Sequence, residues 1–198
     1  MVKQQRAHLT RQMIIRGAAE IFEKYGFGTA SLQDILRTCG ATKGSLYFHF
    51  SSKEDLAHAV IEEQHARSFE SRQEVSRSSA SALETMIAMS RRFGEQLQTD
   101  PIVRAGIRLT LEASNFERPV ISPYTAWMSE YEALIRVGIE RGEINDSVDP
   151  QDLARFIIPA FTGVQMVSEI LTGRSDVVQR IEDMWKFLLP CLKTGQCT

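Results

Sequence analysis

The chain has 198 residues, 43% hydrophobic and 24% charged, with a formal net charge of −2. This is an ordinary globular composition, and it excludes a low-complexity chain, a disulfide scaffold and a uniformly basic nucleic-acid binder. No apolar run approaches the ~18 residues of a membrane span, so no membrane partner is expected.

The opening run Met1-Val2-Lys3-Gln4-Gln5-Arg6 lacks the apolar stretch of a signal peptide. Three cysteines (Cys39, Cys191, Cys197) show no metal-type pairing, and their odd number suits a reducing compartment. The expected location is the cytoplasm. The average charge conceals an asymmetry: residues 1–50 carry seven Lys or Arg against three acids, and the remaining 148 carry sixteen against twenty-two. A basic end on an acidic body is a layout that docks on phosphate by one end only.

Helix formers dominate, and only six prolines occur, so the expected fold class is all-α. Residues 9–25 form the first predicted helix, with Ile14, Ala18, Ile21, Phe22 and Tyr25 on one face and Gly26 closing it. Lys3, Arg6 and Arg11 at its start are either a basic arm for the DNA backbone or a solubilising terminus. Ser31 caps a second helix together with Asp34. Leu32, Ile35 and Leu36 give that helix an apolar stripe, and Gly40 stops it in the left-handed conformation. Cys39 near its end is a small apolar filler. Thr42 then caps a third helix bearing Lys43, Ser45, Tyr47 and His49 outward and Leu46 and Phe50 inward.

Helix, short glycine turn, helix is the outline of a DNA-reading helix-turn-helix. Lys43 can donate to guanine, and Thr42 and Ser45 can bond base edges. Tyr47, His49 and Lys53 offer donors to phosphate. Gly44 costs roughly 1 kcal/mol of helix propensity; close approach to DNA and close packing against the second helix would each account for it.

Residues 9–56, about a quarter of the chain, resemble the N-terminal domain of TetR-type transcriptional repressors. The likeness runs through Thr10-Arg11-Gln12-Met13-Ile14-Ile15, Ala18-Ala19-Glu20-Ile21-Phe22, Tyr25-Gly26-Phe27 and Thr29-Ala30-Ser31. It continues through Thr42-Lys43-Gly44-Ser45-Leu46-Tyr47-Phe48-His49-Phe50 and Ser52-Lys53-Glu54-Asp55-Leu56. The resemblance implies an N-terminal three-helix DNA-binding domain over 1–51, followed by a larger helical ligand-binding and dimerisation domain over 52–198. Its expected DNA-contacting set is Thr29, Ser31, Thr42, Lys43, Gly44, Ser45, Tyr47, Phe48, His49 and Lys53.

A long fourth helix is predicted from Ser51 or Ser52, through Leu56, Ala59, Val60 and Phe69 toward Val75. His58, Glu62 and His65 share a face of it, a poor metal set with no fourth ligand, and solvated surface is the expectation. Ser76 to Ser81 reads as a polar break. The next helix carries Leu83, Met86, Ile87, Met89, Ser90, Phe93 and Leu97 and ends near Asp100-Pro101, where cap and first-turn proline start another.

Asn115 to Pro123 is a loop, and Pro123 opens a helix with Trp127, Tyr131, Leu134 and Ile135, stopped around Gly142. Asp149-Pro150 starts a helix through Leu153, Phe156, Ile157, Phe161, Val164, Val167, Ile170 and Leu171, which Pro159 should kink. Asp176 caps the last one, with Val177, Ile181, Met184, Trp185, Leu188 and Leu189. Helices apolar over so much of their girth need partners on two sides, and a second copy of the chain would supply one.

Met86, Met89, Phe93 and Trp127 suit an adaptable apolar cavity, and equally a plain core. Asp100 to Leu109, Pro123 to Trp127 and Gly163 to Ser168 resemble the γ-butyrolactone receptor branch of the TetR family. That resemblance implies that Trp127 packs over the ligand and Gln165 supplies a polar contact, and Phe161 joins them in the expected ligand set. It also implies a homodimeric repressor that holds a palindromic operator and is released by a γ-butyrolactone-like molecule. Branch members that answer furans, butenolides or antibiotics, or act as pseudo-receptors, are the alternative. The sequence has no phosphate loop, nucleophile elbow or paired-cysteine site. Accordingly an enzyme, a cofactor and a metal are not expected.

Overall fold

The structure, a computed structural model, describes residues 2–78, 81–118, 120 and 122–193, and for residues 2, 3, 76–78 and 122 the backbone only. Nine α-helices account for most of the described residues: α1 Val2–Thr29, α2 Leu32–Cys39, α3 Lys43–His49, α4 Lys53–Ser78 and α5 Ala82–Thr99, then α6 Pro101–Leu111, α7 Ser122–Glu140, α8 Pro150–Thr172 and α9 Val177–Leu192. A 3-10 turn, Ala113–Asn115, follows α6. The all-α expectation holds. By its internal contacts the chain divides into two compact units, Met1–Ser68 with Asp100–Val120, and Phe69–Thr99 with Ile121–Thr198. Each is therefore assembled from two separate stretches.

In the first unit, Ile14, Ile15, Ala18, Phe22, Ile35, Leu46 and Phe50 are buried together with Leu56 and Val60 of α4 and Ile102, Ala105 and Leu109 of α6. Local chemistry explains where the short helices begin. Ser31 Oγ accepts the Asp34 amide at 3.1 Å and Gly40 closes α2 at φ 67°. Thr42 Oγ1 accepts the Ser45 amide, also at 3.1 Å. Ser52 Oγ does the same for Asp55 at the start of α4.

Three expectations for this unit are corrected. Helix α1 begins at Val2, so Arg6 and Arg11 sit on a continuous helix rather than a loose arm; Arg11 lies 5.4 Å over the Phe50 ring. The Lys3 side chain is outside the described residues. Tyr25 is not in the core but half in solvent, under Lys24. His58 is no solvated residue: it is half-buried, 3.5 Å from Glu54, with its ring tilted against Phe116 at 5.4 Å. Gly26 does break α1, at φ 74°, but helical backbone resumes for one turn after it.

The second unit packs α5, α7, α8 and α9 around Met86, Leu97, Ile135, Ile144, Ile157, Ile181 and Trp185. The backbone at Ser76 to Ser78 is still helical, so the polar break is shorter than the composition suggests. Residues 79 and 80, Pro119 and Cys197 lie outside the described residues. Asp149 caps α8 by accepting the Asp152 amide at 2.9 Å, and helical backbone runs unbroken through Pro159.

Asp176 does not cap α9 with its side chain. Its carboxylate accepts Ser168 Oγ at 2.6 Å, Thr172 Oγ1 at 2.7 Å and Arg180 Nε at 2.8 Å, which ties α8 to α9. Helix α8 is long and apolar enough, by length and composition alone, to cross a membrane, and little of it is buried within the chain. Phe156, Met166, Val167, Ile170 and Leu171 of α8 and Phe187 of α9 all face solvent, Ile170 and Phe187 at 78% exposure. An open apolar face of this size marks a surface that another molecule covers.

Candidate DNA interface and ligand site

Helix α3 is only seven residues long, and its orientation is fixed by what it buries. Leu46 and Phe50 lie in the core, and the Phe50 amide donates to the Leu46 carbonyl at 2.9 Å, closing the helix. The opposite face then has to look outward. Thr42, Lys43, Gly44, Tyr47 and Phe48 are exposed and Ser45 and His49 half-buried. Lys43 Nζ lies 5.9 Å from the centre of the Tyr47 ring, and Phe48, 77% exposed, meets His49 edge-on at 4.9 Å. A Cβ added at Gly44 would meet nothing within 4 Å. Packing against α2 therefore does not call for this glycine.

The remaining residues of the expected DNA-contacting set are placed differently. Thr29 is exposed, at the end of α1. The Ser31 hydroxyl is already committed: it accepts the Asp34 amide and donates to the Asp34 carboxylate at 2.6 Å. Lys53 turns inward, its ammonium donating to the carbonyls of Phe27 (2.7 Å) and Ala30 (3.1 Å). An ammonium has three donors, so at most one is left for a phosphate.

The expected ligand residues belong to the second unit and form an aromatic cluster. Phe93 stands between Trp127, 5.4 Å away and nearly perpendicular, and Phe161 at 5.6 Å. Tyr124 meets the far side of Trp127 edge-on at 5.8 Å. Such edge-to-face pairs are favourable and leave ring faces for a further flat group. Met86 and Met89 are buried, and Phe93, Trp127 and Phe161 are half-buried.

Polar groups here are mostly satisfied by one another. Tyr131 OH lies 2.8 Å from Ser90 Oγ and donates to the Met86 carbonyl at 3.2 Å. Burial pushes its pKa up to about 12, so it stays a neutral phenol. The Tyr124 hydroxyl is raised by burial as well, partly offset by its hydrogen bond with Thr162. Gln165 is the exception: it is 2% exposed, and its Oε1 has no hydrogen-bond partner. A buried amide oxygen left unpaired costs about 1–3 kcal/mol, a cost that a ligand donor would offset.

Sequence reading passed over Tyr124, Ser90 and Tyr131 as a polar set within the cluster. It also passed over Arg104, Arg108 and Glu112, whose i, i+4, i+8 spacing along α6 was the available signal. Among the described residues no three His, Cys, Asp or Glu gather as a metal site. Cys39 is half-buried with its thiol 3.8 Å from the Leu36 carbonyl, and Cys191 is exposed.

Residues 14–60 match the family described as bacterial regulatory proteins, tetR family, and residues 80–193 match the tetracyclin repressor-like C-terminal domain. The chain is 36% identical over 192 residues to the A-factor receptor protein of Streptomyces griseus, spanning 97% of this chain and 67% of that protein. Among solved structures it is similar to a gamma-butyrolactone receptor (ArpA like protein), with TM-score 0.78 and 28% identity, covering 96% of this chain and 91% of that one. It is also similar to CprB from Streptomyces coelicolor in complex with its biological operator sequence, with TM-score 0.84 and 27% identity at the same coverages.

Proposed function

Since the chain belongs to the TetR family of bacterial transcription regulators and resembles its γ-butyrolactone receptors, we propose that it is a homodimeric, cytoplasmic repressor released from a palindromic operator by a γ-butyrolactone-like molecule. The observation that carries the DNA-binding part is the orientation of α3. Leu46 and Phe50 are spent on the core, while the side chains of Lys43, Tyr47 and Phe48 face solvent. Residues 1–51 read the DNA, with Lys43 and Ser45 on base edges and Tyr47, His49 and Thr29 on phosphate. Phe48 reaches sugar or thymine methyl groups. Two such helices across a two-fold axis suit half-sites about one turn, ~34 Å, apart or somewhat more.

Residues 52–198 bind the ligand and form the dimer. The open faces of α8 and α9 pair with their copies, which supports an interface between protomers rather than a membrane span. Trp127 lies over the ligand ring, Met86, Met89, Phe93 and Phe161 enclose it, and Gln165 accepts a hydrogen bond from it. The ligand favours a state whose two reading heads no longer fit the operator spacing, so binding and release share one equilibrium. The role is regulation rather than catalysis.

A gel shift with the pure chain and the DNA upstream of its own gene tests the reading. A retarded band that a synthetic γ-butyrolactone abolishes is the expected result. No band at low salt overturns the DNA-binding assignment. A band that only furans, butenolides or antibiotics abolish overturns the ligand assignment alone.

A further inference from the structure

Residues 26–30, from the kink in α1 to the approach to α2, are gripped from two sides by side chains that belong neither to the outward face of α3 nor to the aromatic cluster. The break at Gly26 deprives nearby amides and carbonyls of their helical partners. From α6, the Glu112 carboxylate accepts the Phe27 amide at 2.6 Å. Its other oxygen takes Arg108 Nε at 2.9 Å, and Arg108 Nη1 donates to the Glu23 carbonyl at 2.6 Å. Arg104, one turn earlier, pairs with the Glu23 carboxylate. From α4, Lys53 holds the carbonyls of Phe27 and Ala30, with its ammonium 4.5 Å from the centre of the Phe27 ring.

Gly26 is required by its backbone: its φ of 74° is strained for a side chain. A Cβ there would lie 2.6 Å from Glu112 Oε1 and 2.8 Å from Arg108 Nη2, so these flexible side-chain ends would have to shift. The break, the space beside it and the charged groups that fill the space are fitted to one another. Partly exposed ion pairs add little net stability, so the value of this arrangement is geometric: it fixes the direction in which α2 and α3 leave α1.

We propose that Glu112 is a positioning residue for DNA binding, which holds the Phe27 amide so that the joint 26–30 presents α3 in one orientation, with Lys53 as its counterpart on the carbonyl side. The inference rests on the reading of α3 as the DNA-contacting helix.

Hydrogen exchange on the full chain, without DNA or ligand, tests the proposal in Glu112→Ala and Glu112→Gln. In Glu112→Ala the amides of Phe27, α2 and α3 should exchange about tenfold faster or more, the scale of a lost hydrogen bond to a charged acceptor, while α7, α8 and α9 keep wild-type rates. Glu112→Gln still offers an oxygen to the Phe27 amide and should restore most of the protection. On a duplex selected by the wild-type chain from a random pool, Glu112→Ala should bind about tenfold more weakly, for the same lost bond.

Acceleration confined to Phe27 and α6 overturns the proposal, as does acceleration spread evenly to α9, or a Gln variant no better than Ala. If the wild-type chain selects no duplex, the DNA-binding reading falls and the exchange result still decides whether Glu112 positions α2 and α3. If it selects one and α2 and α3 exchange as in wild type, only the role of Glu112 falls.

Discussion

In the first unit Ile35, Leu46 and Phe50 are consumed by its own core, and the large exposed apolar side chains are scattered along α1, set side by side at Tyr47 and Phe48, or single, as at Leu111. The second unit leaves a contiguous row on α8 open (Met166, Val167, Ile170, Leu171). Each unit buries a glutamine whose amide oxygen is unpaired, Gln64 in the first and Gln165 in the second, so the open apolar row is what separates them. A unit that covers its own apolar surface can be read as finished; one that does not is waiting for other molecules. On the proposed function these are a second copy of the chain at α8 and α9 and a small ligand at Gln165.

That contrast is open to direct attack, the strongest blow first. Phe22→Ala should cost ~3–5 kcal/mol in the first unit and abolish operator binding while the chain still sediments as a dimer. Loss of the dimer as well would mean that the units do not stand independently. Ile170→Glu should do the reverse, giving a monomer whose operator affinity falls by at least about thirtyfold, as for a hot-spot loss of ~2 kcal/mol; a dimer that persists in sedimentation removes α8 from the interface. Lys43→Ala should cost ~1–3 kcal/mol on the preferred duplex and relax base preference, measured by fluorescence anisotropy on matched and mismatched duplexes.

Gln165→Leu should raise the melting temperature, by the equivalent of about 1 kcal/mol from removing an unpaired buried amide, and at the same time blunt the response to the lactone. A fall in melting temperature would show that the amide is not in fact unsatisfied. The smallest effect concerns Asp176. The Ser168 and Thr172 hydroxyls, and after them Arg180, hold its pKa at about 2, below the ordinary 3.8. A depressed carboxylate contributes stability above its ordinary pKa and loses it as pH falls through the depressed one. The stability gap between wild type and Asp176→Asn should therefore be constant above pH 3.8 and close toward pH 2 in thermal melts.

The two regions also differ in how far the residues alone disclose them. Ser31, Thr42, Asp100 and Asp149 act within a few residues of themselves, and each caps the helix that its spacing announces. The same holds for the inward turn of Leu46 on α3 and of Phe50, the residue that caps it, four positions later. Asp176 looks locally like another cap, but its partners Ser168 and Thr172 lie on the preceding helix, and tertiary contact outweighs the local rule. Lys53 reads as a phosphate donor until the Phe27 and Ala30 carbonyls, more than twenty residues earlier, are seen to hold it. Glu112 is illegible for the same reason: the amide it accepts lies at Phe27, freed only because Gly26 turns the backbone. The aromatic cluster was legible as composition, whereas the unpaired oxygen on Gln165 required the fold.

The interleaving of the chain between the two units has a practical side for anyone recombining such regulators. Ile102, Ala105 and Leu109 of α6 complete the core around α1, although they come a hundred residues after Met1. A chimera spliced at a single point near residue 51, with a foreign N-terminus grafted onto this body, would bring α1 together with an α6 that had never been matched to it. Swapping specificity between relatives therefore calls for two inserts moved together, the first near the start of the gene and the second covering α6.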